Sequence, residues 1–206
     1  MLDAGLRRAI DPLLKPIAAT LVRLGCSANG LTLVGFVLGV GAWIALACES
    51  HLVALGFILS NRLFDGLDGL VARLSKPTDL GGFLDIVLDF LFYSGVPFFF
   101  AVGRPEHALA AAYLIFSFVG TGSSFLAYAS IAAKRGAVEM PQPNKAIHYL
   151  GGLTEGGETI GLFAVICLFP ASFAVCAWIF GSLCWLTTLT RIAAGVGAFR
   201  SSQNPS

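Results

Sequence analysis

The amino-acid sequence predicts an all-α membrane protein, with six transmembrane helices preceded by an amphipathic helix at the membrane interface. Three observations carry that expectation. Apolar residues fill 56% of the 206 positions and charged residues only 12%, where a soluble domain holds about 45–50% and about 25%. Mean hydropathy is +0.81. The stretches 24–48 and 108–133 carry no charge at all, over more than the roughly 20 residues that cross a bilayer. The length suits a single membrane domain, 1–206, without a separate soluble one. A formal net charge of +1 lacks the basic stripe that a nucleic-acid partner requires.

The N-terminal segment, 1–25, mixes Asp3, Arg7, Arg8, Asp11, Lys15 and Arg23 with Leu6, Ile10, Leu13, Leu14, Ile17, Leu21 and Leu24 at mostly helical spacing. That pattern is an interfacial amphipathic helix rather than a cleavable signal, and Pro12 and Pro16 are expected to break it. Spans are expected near 28–48, 51–74, 80–103, 108–133, 146–168 and 172–198. The first and fourth follow from the uncharged stretches. Residues 160–190 are uncharged too, but Pro170 divides them between two helices. The runs 50–61, 90–103 and 159–169 are too short alone and reach spanning length only by continuing through acidic residues. The second, third and fifth spans therefore hold carboxylates within the membrane, where charge faces a cavity or a partner and marks function by default.

With both termini cytoplasmic, the inner side receives Arg7, Arg8, Lys15, Arg23, Arg73, Lys76, Lys134, Arg135, Lys145 and Arg200, and the outer turns only Arg104. The positive-inside rule selects that orientation and puts the acidic residues toward the cytoplasm. Cys26, Cys48, Cys167, Cys176 and Cys184 lack metal-type pairing and are expected to be small core residues.

The chemistry concentrates in Asp65-Gly-Leu-Asp68-Gly69-Leu-Val-Ala72-Arg73 and Gly81-Gly-Phe-Leu-Asp85-Ile-Val-Leu-Asp89. Spacings of three and four residues put each aspartate pair on one helix face. Residues 75–79, with Pro77 at their centre, are turn-forming and predict an antiparallel hairpin. Asp65 and Asp89 each lie 12 residues from Pro77, Asp68 and Asp85 lie 9 and 8, so the four carboxylates come to matching depths. Such crowded like charges need neutralising. Two hard divalent cations, Mg²⁺ or Mn²⁺, suit an all-carboxylate set. Gly69 lets a ligand approach the backbone, and the Arg73 guanidinium offers a fork for a phosphate.

These residues resemble the signature of the CDP-alcohol phosphotransferases, D-x2-D-G-x2-A-R-x8-G-x3-D-x3-D. Every fixed position matches: Asp65, Asp68, Gly69, Ala72, Arg73, Gly81, Asp85 and Asp89. The one departure is seven residues rather than eight between Arg73 and Gly81, which falls in the turn and leaves each helix's spacing intact. Asn29-Gly30-Leu31-Thr32 is similar to the Pro-Asn-x-Leu-Thr element that precedes the signature in many relatives, with Ala28 in the proline's place. A plain N-cap at Ser27 or Asn29 is the structural alternative. The resemblance implies a phospholipid-biosynthetic enzyme of a bacterial cytoplasmic membrane, in which an acceptor hydroxyl attacks a CDP-lipid donor such as CDP-diacylglycerol and CMP leaves. It implies that Asp65, Asp68 and Asp85 are metal ligands, and that Asp89 touches one metal and acts as general base. Gly69 and Arg73 would hold the CDP moiety, assisted by Asn29, Thr32 and Thr78.

Two other classes compete. Intramembrane prenyltransferases also use aspartates and Mg²⁺, but their motifs lack Gly69-x2-Ala72-Arg73. A small cation-coupled transporter would show repeated broken helices, whereas the acidic motif occurs once. Gly35-x3-Gly39 and the Gly120–Ser124 run are expected to serve close helix packing, in a homodimer as one option. For the acceptor, Lys134, Arg135, Lys145 and Arg191 are basic candidates. Glu155 and Glu158 would repel a phosphate and favour an uncharged polyol or an amino alcohol, unless they merely pair with Arg62 or Arg191.

Overall fold

The computed structural model describes residues 2–134 and 156–201, with side chains for 10–134 and 156–200. Among them there are helices and no strands: α1 Leu2–Arg23, α2 Ala28–Ala47, α3 His51–Leu74, α4 Asp79–Gly103, α5 Ala108–Lys134, α6 Gly156–Leu168 and α7 Phe173–Ser201. Short 3-10 turns, Pro105–His107 and Pro170–Ser172, lead into α5 and α7.

Helix α1 runs unbroken through Pro12 and Pro16, contrary to expectation. The two prolines are four residues apart and both exposed, so their missing donors fall along one outer side. The opposite side buries Leu14 and Ala18 with Leu67, Leu70 and Val71 of α3. The helix ends where Gly25 adopts φ 79° and Cys26 N–H reaches back to the Leu21 carbonyl at 3.0 Å, a Schellman stop that only glycine enters cheaply. Ser27 then caps α2, its hydroxyl accepting from Gly30 N–H at 3.1 Å.

Among the described residues, four helical stretches are long and apolar enough to cross a membrane: 28–47, 79–103, 105–134 and 170–200, with mean hydropathies of 1.6 to 2.1. The expected spans at 51–74 and 146–168 fall short of that standard. Helix α3 has 24 residues, about 36 Å at 1.5 Å per residue, but Arg62, Asp65, Asp68 and Arg73 lower its hydropathy. Of the span near 146–168, only the 13 residues of α6 are described.

Helix α2 packs along both α3 and α4, α5 along α7, and α6 against α3 and α1. The core is aromatic where these groups meet. The Phe100 and Phe173 rings stack with centroids 4.0 Å apart, and Phe92 meets Phe163 edge-on at 6.3 Å. The cysteines divide, with Cys167 and Cys184 buried but Cys26 and Cys48 exposed because they flank the ends of α2.

The glycines expected to serve packing do so within the chain. A Cβ on Gly39 would lie 2.8 Å from the Phe92 ring, and one on Gly35 3.1 Å from Phe64 Cβ. One on Gly120 would meet Thr188 and Trp185 of α7, and one on Gly122 the Phe90 ring. Gly39→Ala is therefore expected to destabilise the detergent-solubilised protein by about 1–3 kcal/mol, the usual scale of overpacking. Gly56→Ala, whose added Cβ meets nothing within 4 Å, is the control. Equal melting temperatures for the two variants would refute this account of the α2 surface.

Candidate active site

Asp65 and Asp68 project from α3, and Asp85 and Asp89 from α4. The turn at 75–78 reverses the chain as expected, and the Thr78 hydroxyl caps α4 by accepting from Gly81 N–H at 3.1 Å. The expected hairpin is open, however. Helices α3 and α4 make few backbone contacts with each other, and α2 packs against both. A slot is left between them, into which the carboxylates point.

Carboxylate oxygens of Asp65, Asp68 and Asp85 lie within 4.8 Å of one another. Asp68 is the most enclosed, at 5% exposure, and Thr32 on α2 donates its hydroxyl to Asp68 Oδ2 at 2.5 Å. Asp89 is engaged differently. Its Oδ1 accepts from Arg62 Nη2 at 2.8 Å, and Arg62 Nη1 lies 3.7 Å from Asp65 Oδ2. All four carboxylates line one small cavity with Thr32, Asn61 and Arg62. An all-oxygen, anionic donor set of this kind suits a hard divalent cation, so the residues present fit a metal centre.

Arg62 is held on every side. Its Nε donates to Asn61 Oδ1 at 2.8 Å and its Nη1 to the Tyr93 hydroxyl at 3.0 Å. The guanidinium lies 4.7 Å above the Phe92 ring and 5.1 Å from that of Tyr93. Asn61 in turn donates to the Gly35 carbonyl at 2.8 Å, a reach made possible by the bare surface of α2. Arg62, Asn61 and Tyr93 are site residues that the motif does not contain. The signal for Arg62 was present, since a guanidinium one turn from Asp65 in an expected span is itself an intramembrane charge. Among the described residues its acidic partners are Asp89 and Asp65; the pairing considered with Glu155 lies outside them.

An open cleft of about 1180 Å³ adjoins the small cavity and shares Thr32, Asp68 and Asp85 with it. Asn29, Gly69, Ala72, Lys76, Thr78 and Gly81 line it. Because Ser27 is the cap of α2, the Asn29 amide is left to face the cleft. A Cβ on Gly81 would lie 2.7 Å from Asn29 Oδ1, so glycine there keeps Asn29 in place. Arg73 lies beside the cleft, 54% exposed, with Nη2 3.7 Å from Asp11 Oδ2 on α1.

The acceptor candidates are not gathered at this centre. Arg191 Nη1 donates to the Thr121 carbonyl at 3.1 Å, tying α7 to α5. Lys134 is exposed at the end of α5, and Glu158 is half-buried on α6. None of the three lines either cavity. Arg135, Lys145 and Glu155 lie outside the described residues.

A bundle of apolar helices enclosing a carboxylate slot beside an open polar cleft defines a membrane-embedded, acidic, metal-type centre. Residues 26–193 match the family model described as CDP-alcohol phosphatidyltransferase. The chain belongs to that family, and is thus a multi-pass membrane transferase of phospholipid synthesis. It is 54% identical to the inner membrane protein YnjF of Escherichia coli over 204 residues, covering 98% of this chain and 99% of that one. It is 29% identical to an archaetidylinositol phosphate synthase of Pyrococcus horikoshii, covering 91% and 93%. In fold it is similar to the phosphatidylinositol phosphate synthase of Mycobacterium tuberculosis solved with CDP-DAG bound, with a TM-score of 0.66 at 19% identity over 89% of this chain and 94% of that one. A second structure of that synthase, in complex with manganese and citrate, matches with a TM-score of 0.62 at 20% identity, covering 88% of each chain.

Proposed function

We propose that this chain transfers a phosphatidyl-type group from CDP-diacylglycerol, or a related CDP-alcohol, to an alcohol acceptor and releases CMP. The observation that carries the reading is the convergence of the Asp65, Asp68 and Asp85 oxygens within 4.8 Å, two of them also lining an open cleft with Gly69 and Gly81. Two divalent ions, Mg²⁺ or Mn²⁺, would be held by the four aspartates and would offset charge on the attacking and leaving oxygens. The chain's own groups do the rest. Thr32 orients the Asp68 carboxylate. Asn29, Thr78 and the exposed backbone at Gly69 bind the nucleotide, and Arg73 holds its phosphate. Asp89 accepts the proton of the acceptor hydroxyl as that oxygen attacks phosphorus.

The protein works in this reading as a six-span protein of the bacterial cytoplasmic membrane, with both termini and the cleft on the cytoplasmic side and as a homodimer. The donor's acyl chains lie along the apolar helix faces. The acceptor is an uncharged polyol or amino alcohol if Glu155 and Glu158 border its pocket. The names of the archaeal and mycobacterial relatives favour a second possibility, an inositol phosphate acceptor. The deciding experiment follows CMP release from CDP-diacylglycerol in membranes holding the protein. Glycerol 3-phosphate, inositol, inositol phosphate, serine and choline are supplied in turn, with and without EDTA. Full activity in EDTA would overturn the metal reading, and no CMP with any acceptor would overturn the transferase reading for this donor.

Arg73→Ala is expected to raise the donor KM about tenfold, the scale of one charge-assisted hydrogen bond, with kcat within about threefold because the group binds rather than reacts. A kcat loss at unchanged KM would assign Arg73 to the chemical step instead.

A further inference from the structure

The four carboxylates are not equivalent in this structure. Three face one another, with oxygens within 4.8 Å. The fourth, Asp89, is bonded to the Arg62 guanidinium, which lines the same cavity. Arg62 is not a mobile surface arginine that happened to find an acid. Its side chain is 15% exposed, and Asn61, Tyr93 and the Phe92 ring fix it from three directions. Asn61 is fixed in its turn by the Gly35 carbonyl of α2. The chain from Gly35 through Asn61 to Arg62 thus crosses from α2 to α3 and ends on Asp89 of α4.

We propose that Arg62 is a positioning residue that makes the two cation sites unequal. It holds Asp89 away from the Asp65–Asp68–Asp85 set, so a first divalent ion binds without disturbing the pair, whereas a second must displace the guanidinium from Asp89. This rests on the two-metal reading above and concerns the Asp89 carboxylate, which Arg62 already engages. A fixed positive charge 2.8 Å from the Asp89 carboxylate and 3.7 Å from that of Asp65 repels a second cation placed between them. It also occupies the Asp89 oxygen that such an ion would use.

The test is Mn²⁺ binding to the full-length, detergent-solubilised protein without substrate, read from the paramagnetic resonance signal of free Mn²⁺. The wild type is expected to bind one ion at least about tenfold more tightly than the next, within the range by which ligand-supporting groups tune metal affinity. Arg62→Met, which keeps length and apolar packing but removes the charge and the fork, should bring the two affinities within about threefold. Arg62→Lys should keep most of the gap through its charge. Asp89→Asn added to Arg62→Met should abolish the second site. Should Arg62→Met fail to fold, Tyr93→Phe removes one anchor while keeping the ring, and should narrow the gap by about threefold. Two equal sites in the wild type, or a gap unchanged in folded Arg62→Met or Tyr93→Phe, would overturn the proposal. CMP release from the same wild-type preparation separates the two ideas. Turnover with equal sites removes only the role of Arg62, whereas unequal sites without turnover remove only the transferase reading.

Discussion

Asp68→Ala is expected to lower CMP release by about 10³ or more, the several kcal/mol that a metal centre contributes to a transition state. The structure makes this the most informative of the ligand substitutions. Asp68 is the most enclosed aspartate, at 5% exposure, it borders both cavities, and its partner Thr32 is on a different helix. Loss of activity will not come from loss of fold. Without metal the described residues of the centre set four carboxylates against one guanidinium, so removing one negative charge relieves repulsion. The variant should then melt in EDTA at or above the wild-type temperature. Added Mn²⁺ should raise the wild-type melting temperature by linkage, with about 2.7 kcal/mol available at one hundred times the dissociation constant, and should raise that of the variant much less. A variant that melts early in EDTA would show that Asp68 acts through the fold.

Asp89→Asn is expected to reduce turnover by about 10² or more, the scale of losing a general base, while the donor KM stays within about threefold. The substitution is nearly isosteric, and the amide oxygen can still accept from Arg62 Nη2, which now lies 2.8 Å from Oδ1. The slot should keep its shape. Activity is to be compared at saturating Mn²⁺, so that weaker metal binding does not pass for lost proton transfer. Near-normal turnover under those conditions would mean that another group takes the proton.

The sequence displays the carboxylate layer almost completely, because helical periodicity and distance from Pro77 determine the depth and the face of each aspartate. Asp65, Asp68 and Asp85 meet as that count requires. What the count cannot supply is the third helix. Thr32 and the Gly35–Gly39 surface of α2 lie about 30 residues before the motif, and only tertiary packing brings them to Asp68 and Asn61. The same limit hid the pairing of Asp89 with Arg62, where four aspartates had been read as one set. Apolar length located α2, α5 and α7 well, and α4 once its apolar run was continued through Asp85 and Asp89. It was a poorer guide to α3, where charges facing inward depress hydropathy in a helix long enough to span. The continuity of α1 was missed because proline's cost depends on whether the carbonyl it leaves unpaired is open to its surroundings, and here both prolines lie on the exposed side.

The guanidinium layer is also a floor. On the far side of Arg62 from the cleft, α4 continues through Phe92, Val96 and Phe100, which are 0–1% exposed. Phe163 and Phe173 close over them from the helices opposite. Among the described residues, the polar lining runs from Lys76–Thr78 to Arg62 and gives way beyond it to aromatic side chains. In the proposed reading, ions and nucleotide would reach the carboxylates from the Lys76–Thr78 side, with the aromatic side chains packed behind Arg62.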